Sequence, residues 1–152
     1  MRKYWVVILA VLLVFTQFGC QKDVGTTNIY FPFSVDQIEY IEMIRYTDDI
    51  ASAEKKVITE IENIRYLYGT FENISLDILH KQPNDDADVV IVFRFYPSDS
   101  TAETSDWLWT EETFDLVYYG YGVKNSVLKM PPNEIYFLTS EDIERIWSEL
   151  YD

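Results

Sequence analysis

One stretch, Val89 to Tyr96 (VVIVFRFY), constrains the fold more than any other. In an extended chain Val89, Ile91, Phe93 and Phe95 project to one side and Val90, Val92, Arg94 and Tyr96 to the other, so both sides are largely apolar. A strand apolar on both sides belongs in the middle of a sheet, with neighbours on each flank. The question for the rest of the chain is what supplies those neighbours.

Ile38 to Tyr46 (IEYIEMIRY) is rich in isoleucine and tyrosine and predicts a strand, although Ser34 and Gln37 are spaced as a helix capping box. The polar run TDDIASAEK then reads as a loop, and KVIT as the second arm of a hairpin. Ile74 to His80 (ISLDILH) predicts a further strand, followed by a turn with Pro83 and Asn84. After the solvated run PSDSTAETSD, Phe114, Leu116 and Tyr118 alternate with Thr113, Asp115, Val117 and Tyr119. Gly120-Tyr121-Gly122 supplies the positive dihedrals of a tight connection to VKNSVLKM, a second hairpin. Pro131-Pro132-Asn133 breaks the chain before a last strand, EIYFL.

Two segments have the 3.6-residue period of helices. Thr59 and Glu62 are spaced as a capping box, and Ile61, Ile64, Tyr68 and Phe71 form the expected buried stripe, with Gly69 a point where the helix can stop. Thr139, with Asp142 three residues on, is the expected cap of a final helix. Leu138 and Ile143 flank that cap as a staple, and Ile143, Ile146, Trp147 and Leu150 are its core face. KVITEIENIRYLY and YFLTSEDIERIWSELY share a strand, a threonine and Ile-Glu-x-Ile, which is either a repeat or what any capped helix after a strand looks like. The expected class is α+β, an antiparallel sheet of six to seven strands with two short helices packed on it.

Ahead of all this lies Met1 to Cys20, with Arg2 and Lys3 leading an unbroken apolar run from Tyr4 to Phe15, then Gly19-Cys20. Those are the parts of a secretion signal that ends at a thiol. The segment resembles a bacterial lipoprotein signal. The resemblance implies cleavage after Gly19 and a diacylglycerol, with further acyl chains such as palmitate, on Cys20. Gln17 and Phe18 depart from the family's aliphatic and small residues. Gln21, where aspartate would direct retention, implies the outer membrane in a cell that has two. The alternative is an uncleaved signal anchor, for which the apolar run is short against the ~20 residues that span a bilayer. On this reading residues 1–19 are the signal, 20–33 a lipidated tether whose Ile29, Tyr30, Phe31 and Phe33 already pack on the fold, and 34–152 a single domain. A second resemblance covers about Ile38 to Tyr121. The order IEYIEMIRY, polar loop, KKVITEIENIRYLYGTF, VVIVFRFY is similar to small uncharacterised lipoproteins of Gram-positive bacteria. It implies location and fold and carries no active-site residues.

Charge narrows the partners. The chain has a formal charge of −14, and its first nineteen residues hold two of the twelve basic and none of the 26 acidic side chains, so the exported part carries ten against 26, or −16. Such a field repels phosphate backbones, which argues against nucleic acid and leaves membrane attachment to the lipid on Cys20. With Cys20 the only cysteine, no intrachain disulfide forms and stability rests on the core.

Catalytic signals are sparse. His80 is the only histidine, and no Gly-x-Ser-x-Gly turn occurs. Asn84-x-Asp86-x-Asp88 opens like a calcium loop, but Val89 stands where glycine is needed and Phe95 where glutamate closes the site, so no metal or cofactor is expected. The acidic pairs Asp48-Asp49, Asp85-Asp86 and Glu111-Glu112 read as solvated faces among so many acids. The candidate ligand-binding residues are aromatic: Trp107 and Trp109, two apart, with Tyr118, Tyr119 and Tyr121. The expected function is a non-enzymatic, membrane-anchored binding domain for a protein, peptide or envelope component. The alternatives are a carbohydrate-binding or hydrolase-accessory module using those rings, and an enzyme with carboxylate chemistry.

Overall fold

The stretch from Val89 to Pro97 takes the central place that its doubly apolar pattern demands. The computed structural model describes residues 26–47, 53–79, 86–98, 113–122, 126–130 and 135–151. Eight strands form one sheet: β1 Thr26–Thr27, β2 Ile38–Tyr46, β3 Glu54–Ile58, β4 Leu76–Leu79, β5 Val89–Pro97, β6 Phe114–Gly120, β7 Ser126–Met130 and β8 Ile135–Thr139. They are ordered β1-β4-β8-β7-β6-β5-β2-β3, every pairing antiparallel. With helices α1 Ile61–Glu72 and α2 Ile143–Tyr151 the fold is α+β, seven strands wide if the two-residue β1 is set aside.

Register shows how the core is made. Across the centre Ile41, Phe95 and Phe114 lie side by side, as do Met43, Phe93 and Leu116. All six are buried, five of them fully, on the face that both helices cover. Each such side chain contributes about 1.5–3 kcal/mol by leaving water, so this row is the main source of stability in a chain without disulfides.

The core also recruits residues ahead of β2. Ile29, Phe31 and Phe33 are buried, with the Phe31 ring stacked 4.4 Å from Tyr68 and 5.2 Å from Phe95. The Tyr68 hydroxyl donates to the Phe33 carbonyl at 3.0 Å. Ile29, Phe31 and Phe33 thus join the core, as the sequence leads one to expect, and Tyr30 does not. Tyr30, between them, is 87% exposed. Ser34 and Gln37 frame a single 3-10 turn, Val35–Gln37, in which Gln37 Oε1 accepts from the Ser34 amide at 2.8 Å, and the strand begins at once after it.

Both helix starts differ from the sequence expectation. α1 is preceded by Glu60 with no side-chain cap, so Thr59 does not cap it. Its buried residues are Ile64, Leu67 and Phe71 with Tyr68 alongside, whereas Ile61, in the first turn, is 43% exposed. Gly69 does not stop the helix. Asn73 does, its amide and its side chain both donating to the Gly69 carbonyl at 3.2 and 2.6 Å. α2 is capped by Asp142, whose Oδ1 accepts from the Arg145 amide at 3.0 Å, while Thr139 Oγ1 accepts from Glu141 in the turn before it. Leu138 shares its face with Val127 and Asp77, opposite the one on which Ile143 is buried, so the staple does not form. The two strand-to-helix units thus differ in cap and in place, one leaving the edge strand β3 and the other the interior strand β8.

Two glycines have opposite surroundings. A Cβ on Gly69 meets nothing within 4 Å, while one on Gly120 lies 2.6 Å from Val89 Cγ1 and 2.7 Å from Glu144 Oε1. Gly69→Ala is expected to raise unfolding free energy by about 0.5–1 kcal/mol, and Gly120→Ala to lower it by about 1–3 kcal/mol, in urea titrations. Phe31→Ala is expected to cost about 3–5 kcal/mol in the same measurement, and a cost near zero would return residues 26–33 to the role of a tether.

Candidate interaction surface

The sheet has two unlike faces. The face opposite the helices carries three apolar rows set by the strand register: Tyr46, Val90, Tyr119, Val127 and Leu138; Ile44, Val92 and Val117; and the pair Tyr40 and Tyr96. Ile44, Val90, Val92, Val117, Tyr119 and Leu138 are half-buried and none belongs to the inner core cluster. Among the described residues both helices pack on the other side.

The polar groups on this outer face are joined to one another. Arg94 grips Asp115 with two nitrogens, Nε to Oδ1 at 2.9 Å and Nη2 to Oδ2 at 2.7 Å, across directly paired positions. The hydrogen bonds that Arg94 donates to Asp115 raise its pKa further, so the guanidinium stays charged. Beside it Glu42 accepts from the Tyr96 hydroxyl at 3.0 Å and pairs with Lys55. Burial pushes the Glu42 carboxyl up, but the hydrogen bonds from Lys55 and Tyr96 outweigh it and hold the carboxyl below its usual range. Tyr40 stacks on Tyr96 at 4.1 Å and 18°.

A concavity of about 880 Å³ opens elsewhere, between the β6–β7 hairpin and the start of α2. Tyr118, Ser126, Thr139, Glu144, Arg145 and Ser148 line it. The Tyr118 oxygen lies 2.9 Å from Ser126 Oγ and donates to Glu144 Oε1 at 3.4 Å. Burial pushes the Tyr118 hydroxyl up, so it keeps its proton at neutral pH. Ser126 therefore faces a neutral phenol instead of a base, an arrangement that does not activate a nucleophile. Among the described residues no group of three histidine, cysteine, aspartate or glutamate side chains is placed to hold a metal ion.

The residues singled out from the sequence part company here. Cys20, Trp107, Trp109 and His80 lie outside the described residues, as does Asn84 of the calcium-like run. In that run the Asp88 amide donates to the Gly120 carbonyl at 2.9 Å, extending the β5–β6 pairing. Tyr118 is 2% exposed on the inner face, Tyr119 lies half-buried on the outer face, and Tyr121 follows β6 half-buried. Adjacent strand residues point to opposite faces, so the rings of Tyr118 and Tyr119 cannot share one platform. Sequence reading missed the Arg94–Asp115 and Glu42–Lys55–Tyr96 groups. The one available signal was Arg94, a lone charge in an apolar strand.

These ionisable groups give a pH profile. The Tyr66, Tyr68, Tyr96 and Tyr118 hydroxyls are all raised from 10.0, Tyr66 first by its bond to Glu149 and the other three first by burial. Folded protein thus holds protons that unfolded chain releases, and stability falls as pH rises past about 10. Glu42 lies below 4.5, so its contribution is complete above that pH and is lost as pH falls through its folded value. Chemical denaturation across pH is expected to show both declines, with the acid one reduced in Glu42→Gln. The chain matches no protein-family model, no curated protein and no solved structure.

Proposed function

We propose that the chain is an extracytoplasmic lipoprotein, held at the membrane through lipid on Cys20, whose domain binds another protein of the cell envelope and performs no catalysis. The outer face of the sheet carries this reading. From β2 to β6 its aliphatic and tyrosine side chains form a half-exposed surface, bounded by the buried Val127 and Tyr136, and the charged groups within it, Arg94 with Asp115 and Glu42 with Lys55, neutralise one another. A surface of this kind gains by meeting an apolar, uncharged face of a second protein. A sugar needs free donors and acceptors beside an open ring, whereas here the carboxylates are engaged and Tyr40 and Tyr96 cover one another. Protein recognition is therefore favoured over glycan binding.

The membrane half of the proposal rests on Arg2, Lys3, the apolar run from Tyr4 to Phe15, and Gly19-Cys20. In a cell with two membranes the expected place is the outer one. Intact-mass analysis of membrane-extracted protein is expected to give a chain that starts at Cys20 and carries lipid. A mass retaining Met1 to Gly19 would overturn the anchor. For the face, a photo-crosslinking residue at position 117 is expected to give a discrete protein adduct in the native host, and one at exposed position 61 none. Equal labelling from both positions would remove the outer face as the binding surface.

A further inference from the structure

The register places a small apolar corner beside the point where the tether joins the fold. β1 runs antiparallel to β4, with Thr26 opposite Asp77 and Thr27 opposite Leu76, so the chain enters β1 from the Ile78 end of β4. Ile78 lies opposite Phe137 in β8, and Met130 of β7 opposite Ile135, two residues before Phe137. Ile78, Ile135 and Met130 therefore share the inner face at one corner, where the core runs out. Ile78 is 44% and Ile135 41% exposed, and Met130 packs partly on the core. By register Ile78 and Ile135 are diagonal neighbours on adjacent strands, a spacing of about 7–8 Å.

We infer that this corner is a membrane contact: Ile78 and Ile135 rest in the interfacial layer of the bilayer to which residue 20 is attached, and so fix the orientation of the domain. The inference rests on the membrane anchoring proposed above. Six residue steps separate Cys20 from Thr26, a reach of at most about 20 Å. Across the sheet, seven strand spacings put the β3 edge about 34 Å from β1. The tether therefore keeps this corner near the lipid while the far edge stands clear. Two isoleucines alone bind a bilayer weakly, but a tether of this length makes the contact intramolecular. The chain's net charge of −14 opposes anionic headgroups, a repulsion screened beyond about 8 Å at physiological salt. The corner contact itself is apolar. The orientation leaves the outer face, with Val92 and Val117, free for a partner.

The test uses full-length protein extracted from membranes, its isoleucine δ1 methyls isotopically labelled, in phosphatidylcholine nanodiscs containing a lipid spin-labelled at the interface. Ile78 and Ile135 are expected to relax at least about tenfold faster than Ile61, because the effect falls with the sixth power of distance and an interfacial contact is only ~5–10 Å deep. Ile61, 43% exposed on α1, is the matched control. Equal relaxation at Ile61 and Ile78 would overturn the inference, because it means free tumbling. Stronger relaxation at Ile44 would also overturn it, placing the outer face on the membrane. So would shifts of Ile78 and Ile135 with protein concentration without lipid, which assign the corner to a second copy. The mass of the same sample reports the anchor separately, since a retained apolar leader also holds residue 20 at the bilayer.

Discussion

The structure depends on one row of contacts, the inner side chains of β5 against those of β2 and β6, roofed by α1 and by Phe31 and Phe33. Phe93 lies 4.8 Å from Phe71 of α1, and Phe95 lies 6.3 Å from it, both edge-on. The ring of Phe31 reaches Phe95, Phe114 and Tyr68. Aromatic rings fill volume with few rotatable bonds, which lets a chain with one cysteine order a core from two helices and a sheet. It also explains why Phe31 and Phe33, ahead of the first long strand, are part of the core: their rings pack on Phe95 and Phe114 of the central strands.

The two faces of the sheet follow from how they are covered. On the inner face every large side chain near the centre is buried, and the helices are tied to each other by the Tyr66 hydroxyl donating to Glu149 at 2.8 Å. On the outer face, charged residues in the interior strands have partners: Arg94 has Asp115, and the Lys129 ammonium lies 5.6 Å from the centre of the Tyr136 ring. A lone Arg94 in β5 would hold a guanidinium among valines, and Asp115 directly opposite removes that cost. The result is a surface that is apolar in character without being depleted of charged residues, a pattern suited to a partner that contributes shape more than charge.

Position along the sheet adds a direction. β1 and the Ile78–Ile135 corner lie toward one edge, and the Lys-rich strand β3 ends the other. Charged residues on β3, Glu54, Lys55 and Lys56, are a usual guard on an edge open to further pairing, whereas the β1 edge is left short, at two residues. Under the anchoring proposed above, the outer face is presented sideways and the guarded edge away from the bilayer, the orientation in which a laterally approaching protein meets the apolar rows first.

Much of this was legible from residue order. The central place of Val89 to Tyr96, the strand from Ile38 to Tyr46 and its hairpin, and the core face Ile143, Ile146 and Trp147 of the last helix follow from periodicity, because burial on one or both sides leaves a local mark. What periodicity cannot carry is register and competition. Whether Arg94 meets Asp115 and whether Tyr118 and Tyr119 share a platform depend on which strands are neighbours and in what register. Helix starts likewise turned on tertiary context. Thr59 carries the residue type of a cap, yet α1 begins after Glu60, and Asp142 displaces Thr139 because Thr139 is already paired in β8. The sequence by itself determined a sheet with one doubly apolar strand, a helix after its first hairpin and another at its end, all of them properties of neighbouring residues. Only the tertiary structure decided which side chains meet, because those meetings join residues about 20 to 80 positions apart, and it is the closing of those distances that sets the two faces of the sheet.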